Sequence, residues 1–180
     1  MSNQLKHLIS TEQLNKDLVL KLFALAEDFR GRDRQELKDV LAGYRANVFF
    51  EQPSTRTYLS FANACQILGM GVTETRDSAN SSQIKGESFE DTIHTISQYV
   101  DVCILRHSDK SAISRAVEVI DEFGLSTRMI NAGNGDADHP TQALLDLYTL
   151  YRQYKGDLSG KTIAVVGDLK RGRAAKAFIK

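Results

Sequence analysis

The sequence predicts an α/β fold in which a parallel β-sheet is flanked by helices, followed by the start of a second α/β domain. Short apolar runs typical of buried strands alternate along the chain with stretches whose apolar residues recur every three or four positions. Strands that alternate with helices in this way form parallel sheets joined by right-handed crossovers. The clearest strand-like run is TIAVVGD at 162–168, which opens the predicted second domain.

The first half of the chain begins with a predicted helix. Ser10 and Gln13 have the spacing of a capping box, and leucines then recur at helical spacing, so we expect a helix over roughly 11–30. The following elements are a short buried strand, a helix and a weaker strand, at 47–51, 58–68 and 70–76. This order already has the alternation that a parallel sheet requires.

The second half continues the same alternation. The predicted elements are a helix, a strand, a helix, a strand and a helix, at 89–100, 101–106, 113–120, 127–131 and 144–154. Pro140 is typical of a first helical turn and marks the start of the last of these helices.

A polar turn separates the two predicted domains. Gly156 and Gly160 bracket it, so we assign 1–154, including the linking helix, to the first domain. Residues 155–180 then supply the first strand and a partial helix, from 172 onward, of the second domain. A helix that ends with no following strand to pack on indicates a truncated domain, so we expect the chain to be a fragment.

Composition narrows the class of protein. Lysines and arginines number 23, as do aspartates and glutamates, so the chain lacks the positive charge typical of nucleic-acid binders. It also lacks an apolar stretch of about 20 residues, and its polar start MSNQLKHLIS does not resemble a signal peptide. Cys65 and Cys103 lie in apolar runs and the four histidines have no metal-ligand spacing. We therefore expect a reduced, cytoplasmic protein with no metal or other cofactor.

Polar residues collect in the loops that follow the predicted strands, where open parallel sheets bind their ligands. The first such loop places Ser54, Thr55, Arg56 and Thr57 at the start of a helix. Backbone N–H groups, hydroxyls and a guanidinium converge there, which is typical of a phosphate site. A capped helix with an exposed arginine explains the same residues about equally well when they are taken alone.

A second loop ends in His139, Pro140, Thr141 and Gln142. With Pro140 in the first turn, the helix dipole favours a neutral His139 imidazole, which can donate to a carbonyl oxygen that gains negative charge. Gln142 lies one turn further and can hold an amide. A capping histidine with a capping-box glutamine is the structural alternative.

Three more groups complete the polar set. Arg106 ends a predicted strand and points into the expected crevice, although an isolated strand-end arginine is more often solvated. The loop SSQIKGES at 81–88 has a cationic tip, and its alternative is an ordinary surface loop. GDLKRGR at 167–173 has the glycine spacing of a P-loop, but Arg173 stands where a lysine is required, which argues against nucleotide binding. Neither Asp136 nor Asp138 has an evident catalytic partner.

These motifs together resemble a known family. STRT, SSxxKGES, Arg106, HPTQ and GDLKRGR occur in the order found in the carbamoyltransferases, and most closely in those that use aspartate. The resemblance runs from about residue 45 to the end of the chain. HPTQ in place of HPCQ, together with GDLKxGR, favours aspartate over ornithine as the acceptor.

The resemblance implies an enzyme that transfers the carbamoyl group from carbamoyl phosphate to the amine of L-aspartate in pyrimidine biosynthesis. It further implies no cofactor, a homotrimer with shared active sites, and regulatory subunits or pathway enzymes as further partners. We expect a fragment of such an enzyme to have little activity alone. Two alternatives stay open: transfer to another amine such as ornithine, or a non-catalytic module that binds carbamoyl phosphate.

The resemblance also implies a role for each motif. Residues 54–57 would hold the phosphate with help from Arg106, and Thr57, Arg106 and His139 would polarise the carbamoyl oxygen. Gln142 would bind the carbamoyl amide. These assignments follow the family pattern residue by residue.

Other implied roles belong to the acceptor side of the site. Ser81, with Ser82 as a near alternative, and Lys85 would come from the neighbouring subunit of the trimer. Arg173 and Lys85 would bind aspartate, and Glu51 would orient arginines around the closed site. The sequence departs from the family where both Gln52 and Pro53 precede STRT, and again at Tyr58, where an arginine is common.

Overall fold

A four-stranded parallel sheet forms the centre of the computed structural model, which describes residues 5–76, 86–167 and 173–179. The strands are β1 (Arg45–Phe50), β2 (Gly71–Arg76), β3 (Val102–His107) and β4 (Arg128–Asn134). Their order across the sheet is β2-β1-β3-β4, and every neighbouring pair is parallel. The predicted α/β class with a parallel sheet is confirmed.

The helices connect these strands and cover both faces of the sheet. They are α1 (Lys16–Gly31), α2 (Arg34–Leu37), α3 (Thr55–Ile67), α4 (Phe89–Ser97), α5 (Ala112–Glu122), α6 (Pro140–Gln153) and α7 (Arg173–Ile179). Within the described ranges, no helix has the length and apolar character needed to cross a bilayer.

The core consists of two apolar clusters on opposite faces of the sheet. Phe49 and Leu105 pack with α4 and α5, whereas Val48, Phe50 and Ile104 face the side covered by α3. Successive residues of a strand point to opposite faces, so a strand that is buried on both sides has to be apolar throughout. This requirement explains the continuous apolar runs of β1 and β3.

Both cysteines are unpaired and buried in these clusters, as expected for thiols that act as small apolar side chains. Burial raises the pKa of Cys65, and it raises the pKa of Cys103 to about 12.

The predicted helix at 11–30 is divided in the structure. Ser10 and Gln13 do form the capping box, but it caps a single 3-10 turn, Thr11–Gln13. Leu14 then has an extended backbone, and α1 starts separately with Asn15 as its N-cap, whose Oδ1 accepts from the Leu18 N–H at 2.9 Å. The leucine spacing predicted the body of the helix. The start of α1 is set by Asn15, because Ser10 caps only the separate 3-10 turn before it.

The strand predicted at 162–168 is wrong for the residues that the structure describes there. Residues 161–167 belong to no sheet, Ile163 is 42% exposed and Val166 is 94% exposed. A strand requires hydrogen-bonding partners alongside it, and none of the described strands lies beside this segment. The helix predicted from 172 is confirmed by α7.

Candidate active site

The carboxyl ends of β1, β3 and β4 lie next to one another and bring three of the predicted loops together. Phe50 is in register with Arg106, and His107 is in register with Asn134. The backbone N–H of Glu51 donates to the carbonyl of Arg106 at 3.0 Å, so the loops after β1 and β3 leave the sheet in contact. The sheet topology therefore gathers the STRT, Arg106 and HPTQ motifs at one edge.

The loop after β1 leads into the N-terminus of α3, with Ser54 as the N-cap residue. The Ser54 side chain does not bond to a first-turn amide; its hydroxyl bonds to Thr57 Oγ1 at 3.0 Å instead. The first turn contains no acidic residue. The capping part of the alternative is therefore wrong, whereas its exposed arginine is observed, because Arg56 lies on the surface. A helix N-terminus without a side-chain cap keeps first-turn N–H groups that an anion can use.

A pocket of about 410 Å³ lies against this helix N-terminus. Its lining includes Ser54 and Thr55, while Arg56 lies exposed on the same turn. The full lining is Phe50, Glu51, Pro53, Ser54, Thr55, Tyr58, Leu59 and Arg76. The pocket combines hydroxyls and apolar walls with one cation, Arg76, which is paired with Glu74, and with the carboxylate of Glu51. Arg106, His139 and Gln142 are not among its lining residues.

Arg106 is buried at the end of β3, with 8% of its surface exposed. Its Nη1 donates to the carbonyl oxygen of Ala132 in β4 at 3.0 Å. The alternative of a solvated strand-end arginine is therefore wrong. A guanidinium held in this way brings a fixed positive charge to the edge of the sheet, where it strengthens binding of an anion.

His139 is the N-cap residue of α6 and is likewise buried. Its side chain does not cap the helix; its Nδ1 lies 3.4 Å from Thr141 Oγ1. Gln142 does not complete a capping box either, because its Nε2 donates to Asp146 Oδ1 at 2.9 Å. The capping alternative is therefore wrong for the described hydrogen bonds of this pair, because neither side chain caps α6.

Glu51 contacts the loop after β3. Its Oε2 accepts from the backbone N–H of Ser108 at 3.0 Å and lies 4.0 Å from His107 Nδ1. Burial lowers the pKa of His107, and the nearby Glu51 carboxylate opposes that shift. These described contacts connect the loops after β1 and β3, whereas the resemblance implied a contact with arginines.

Sequence reasoning missed Arg76, the last residue of β2. Its guanidinium lies 4.2 Å from the ring centroid of Tyr58 and donates from Nε and Nη2 to Glu74 Oε2 at 3.1 and 2.9 Å. The Tyr58 hydroxyl also bonds to Glu74. A cation at the carboxyl end of a parallel strand is typical of a ligand site. This pattern was not recognised at Arg76, because the largely polar sequence of β2 only weakly indicates a strand.

Sequence reasoning also missed Asp138, because its partners at Ser10 and Thr11 lie more than a hundred positions away. These partners are hydroxyl and backbone N–H groups of the N-terminal segment, and none of them is a catalytic side chain of the predicted site.

The acceptor side of the predicted site is not described. Ser81, Ser82 and Lys85 lie outside the described residues, as does the side chain of Arg173 at the start of α7. Among the described residues, no cluster of three or more histidine, cysteine or acidic side chains could hold a metal ion.

Comparison with known proteins places this geometry in context. The family described as aspartate/ornithine carbamoyltransferase, carbamoyl-phosphate binding domain, matches residues 6–152. A chloroplastic aspartate carbamoyltransferase of Pisum sativum is 38% identical over 177 residues, which are 97% of this chain and 44% of the pea protein.

Two solved structures of aspartate transcarbamoylase from Trypanosoma cruzi give the same result. One, in complex with carbamoyl phosphate and aspartate, has a TM-score of 0.87 and 37% identity, and the match covers 97% of this chain and 56% of that one. The other, with carbamoyl aspartate and phosphate, has a TM-score of 0.87 and 38% identity, covering 97% and 55%. This chain thus spans about half the length of these relatives.

Proposed function

The chain belongs to the aspartate/ornithine carbamoyltransferase family, and from this premise we propose that it serves the transfer of the carbamoyl group from carbamoyl phosphate to L-aspartate. The products are N-carbamoyl-L-aspartate and phosphate. One observation carries the proposal: the loops that hold residues 54–57, Arg106 and His139 meet at one edge of the sheet. The substrates and products named for the Trypanosoma cruzi complexes support the choice of reaction.

The proposal divides the chain into two domains. Residues 1–154 form the domain that binds carbamoyl phosphate, and 155–180 form the first part of the domain that binds aspartate. The family match over 6–152 supports this boundary, as does the absence of sheet pairing at 161–167 within the described part of the chain.

The phosphate end of carbamoyl phosphate binds at the N-terminus of α3. The first-turn amides and the hydroxyls of Ser54, Thr55 and Thr57 donate to its oxygens, while Arg56 and Arg106 supply positive charge. A dianion gains most from donors that are fixed before it arrives, because no further ordering is then required. The hydrogen bond from Arg106 to Ala132 supplies such ordering.

The carbamoyl end lies toward α6. Thr57, Arg106 and His139 donate to the carbamoyl oxygen, and Gln142 holds the carbamoyl amide. An amide NH₂ group needs an acceptor, and the Gln142 Nε2 is already bonded to Asp146. The Gln142 Oε1 is therefore the atom that accepts from the substrate.

The reaction requires stabilisation of charge and orientation of two substrates. The amine nitrogen of aspartate attacks the carbamoyl carbon, the carbonyl oxygen becomes an oxyanion, and the bond to the phosphate oxygen then breaks as phosphate leaves with the electron pair. The nitrogen loses a proton in the process, and the leaving phosphate takes it up to become hydrogen phosphate. Arg106 and His139 act on the oxyanion by charge and hydrogen bonding, and the loops that meet at this edge of the sheet act by holding the reacting atoms together.

The acceptor side requires further residues and a second subunit. We propose that Ser81 and Lys85 enter the site from the neighbouring subunit of a homotrimer, and that Arg173 and Lys85 bind the carboxylates of aspartate. Regulatory subunits or other enzymes of pyrimidine biosynthesis are the proposed partners. The proposed compartment is the cytoplasm, where unpaired thiols such as Cys65 and Cys103 persist.

Substitution of the two central groups tests the proposal. In Arg56→Ala, carbamoyl phosphate affinity measured by calorimetry should fall on the order of tenfold to a hundredfold, because one charge-assisted contact is lost. In His139→Ala, carbamoyl-aspartate formation should slow by about 10²–10³, as expected for one lost donor to an oxyanion. Arg34→Ala, which removes an exposed cation on α2, is the matched control.

Wild-type turnover by this chain alone should be low, because the chain spans about half the length of its relatives. An acceptor panel with aspartate and ornithine then identifies the amine. Carbamoylation of ornithine alone would replace aspartate as acceptor, and tight binding of carbamoyl phosphate without any turnover would favour a binding module. Unchanged affinity in Arg56→Ala and unchanged rate in His139→Ala would refute the assignment of the site.

A further inference from the structure

A buried carboxylate connects the N-terminal segment to the backbone of His139. Asp138 is 5% exposed, and its Oδ2 accepts from the backbone N–H and hydroxyl of Thr11, both at 3.0 Å, and from the Ser10 hydroxyl at 3.2 Å. Its Oδ1 accepts from the backbone N–H of His139 at 2.7 Å. One side chain thus joins two segments that are distant in sequence.

The N-terminal segment is itself fixed to the free edge of β4. The Leu8 N–H donates to the Met129 carbonyl at 2.9 Å, and the Asn131 N–H donates to the Leu8 carbonyl at 2.8 Å. The Met129 N–H donates to His7 Nδ1 at 3.0 Å, and the Asn131 side chain donates to the carbonyl of Ile9 at 2.8 Å. Residues 7–9 therefore run beside β4 like a short added strand. Because this pairing fixes the position of Thr11, Thr11 can in turn hold the Asp138 carboxylate in place.

The loop between β4 and α6 is closed on its other side by Asn134. The Asn134 N–H donates to the Asp138 carbonyl at 3.3 Å. In return, the Asp138 N–H donates to the Asn134 Oδ1 at 3.2 Å. The Asn134 side chain also donates to the carbonyl of Lys110 at 2.6 Å. Pro140 restricts the backbone of His139 from the following position. The Asp138 carboxylate further restricts the His139 backbone by accepting a hydrogen bond from its N–H.

We propose that Asp138 and Thr11 are positioning residues that fix the backbone of His139 and so direct its imidazole to the reacting carbonyl. The catalytic role of His139 rests on the proposed function, whereas the positioning rests on the contacts described above. A buried carboxylate keeps its geometry only while its donors are present, because an unmatched buried polar group is costly. Small displacements of a catalytic group lower the rate strongly.

Thr11 offers the sharper test, because it lies 128 positions from His139 in the sequence and is connected to it through the Asp138 carboxylate. Thr11→Val keeps the side-chain shape but removes the hydroxyl donor, and Thr11→Ser restores the donor. Glu12→Gln changes the exposed neighbouring residue and serves as the control. Asp138→Asn removes the carboxylate charge, and the double variant Thr11→Val/Asp138→Asn measures the coupling between the pair.

The first readout is the imidazole cross-peak of His139 in ligand-free, histidine-labelled protein, assigned by its loss in His139→Gln. Thr11→Val should move or broaden this peak, Thr11→Ser should return it to the wild-type position, and Glu12→Gln should leave it there. Circular dichroism establishes that each variant is folded. If Asp138→Asn does not fold, the proposal is tested by the His139 peak in Thr11→Val and Thr11→Ser alone.

The second readout separates positioning from general stability. Thr11→Val and Asp138→Asn should lower kcat by about tenfold to a hundredfold and leave the KM for carbamoyl phosphate within about twofold. Folded Thr11→Val with the His139 peak at its wild-type position would overturn the proposal. If His139→Ala leaves the rate of carbamoyl transfer unchanged but Thr11→Val still moves the His139 peak, the positioning pair is supported and the proposed catalytic role of His139 is refuted.

Discussion

Strand β1 and the segment 161–167 have similar apolar sequences, but the first is buried in the sheet and the second is largely exposed. In β1 every residue after Arg45 is buried, and Val48 has no exposed surface. In the segment 161–167, by contrast, no residue is buried and Val166 is 94% exposed. The two runs differ in their neighbours: β1 has a parallel strand on each side, and none of the described strands pairs with the segment.

This difference shows that an apolar run specifies a tendency to be buried and not the burial itself. Backbone N–H and C=O groups leave water without a large cost only when another strand satisfies them. In β1 the neighbours are assembled by helices α3 and α4, which return the chain to the same sheet. Two measurements test this contrast between the strands of the sheet and the segment, and a third tests the edge of β4 that residues 7–9 cover.

Thiol reactivity should show the largest difference. Burial raises the pKa of Cys103 in β3 to about 12, so about one thiol in ten thousand is ionised at pH 8, against roughly a quarter for a free cysteine. A cysteine introduced by Val166→Cys should therefore react with a maleimide more than about a thousandfold faster than Cys103 in the native protein. Stopped-flow labelling followed by mass analysis measures both rates, with labelling in denaturant as the control. Comparable native rates would mean that the segment is covered or that the sheet opens readily.

Truncation of one isoleucine in each region compares their packing directly. Ile104 in β3 is 1% exposed and Ile163 is 42% exposed. Ile104→Ala should lower the free energy of unfolding by about 2–5 kcal/mol, because it removes apolar contacts and leaves a cavity. Ile163→Ala should change it by no more than about 0.5 kcal/mol. Urea unfolding with an unchanged m-value checks both, and equal losses would place the segment in the cooperative core.

The pH dependence of stability should show the smallest effect, at the edge of β4 that residues 7–9 cover. Burial, helped by the adjacent Lys6, lowers the pKa of His7, and Asp121 opposes the shift. The His7 Nδ1 must be unprotonated to accept from the Met129 N–H. Below about pH 6.5 the unfolded state therefore takes up a proton before the folded state does, and stability falls as the pH falls from there toward the lower folded pKa.

His7→Asn keeps an acceptor near the Met129 amide but removes the titrating group, so it should make the free energy of unfolding less dependent on pH below about 6.5. His107, whose pKa burial also lowers, should account for a remaining dependence. An identical slope in wild type and His7→Asn, measured by urea unfolding across the range, would exclude His7 as the source.

The sequence predicted more of the fold than of the contacts within the site. Apolar spacing located the four strands of the sheet and the body of every described helix except α2, which lies in a charged stretch that the sequence indicated as a loop. It succeeds where one or both faces of an element are buried, because the apolar positions then follow the period of that element. It also placed residues 54–57, Arg106 and His139 after strands of one parallel sheet. It did not identify the partners of Glu51 and Gln142, which are Ser108 and Asp146. A polar residue in a sequence does not show whether its side chain bonds within the protein or to a ligand.

By itself, then, the sequence determined the alternation of strands and helices, the polar loops at the carboxyl ends of the strands, and the family resemblance that those loops carry. Only the tertiary structure decided that TIAVVG at 162–167 stays outside the sheet and that Asp138 joins Thr11 to His139. The physical reason is common to both outcomes. Periodicity records which side of a segment prefers to be buried, whereas hydrogen-bond partners depend on which distant segments the topology brings alongside it.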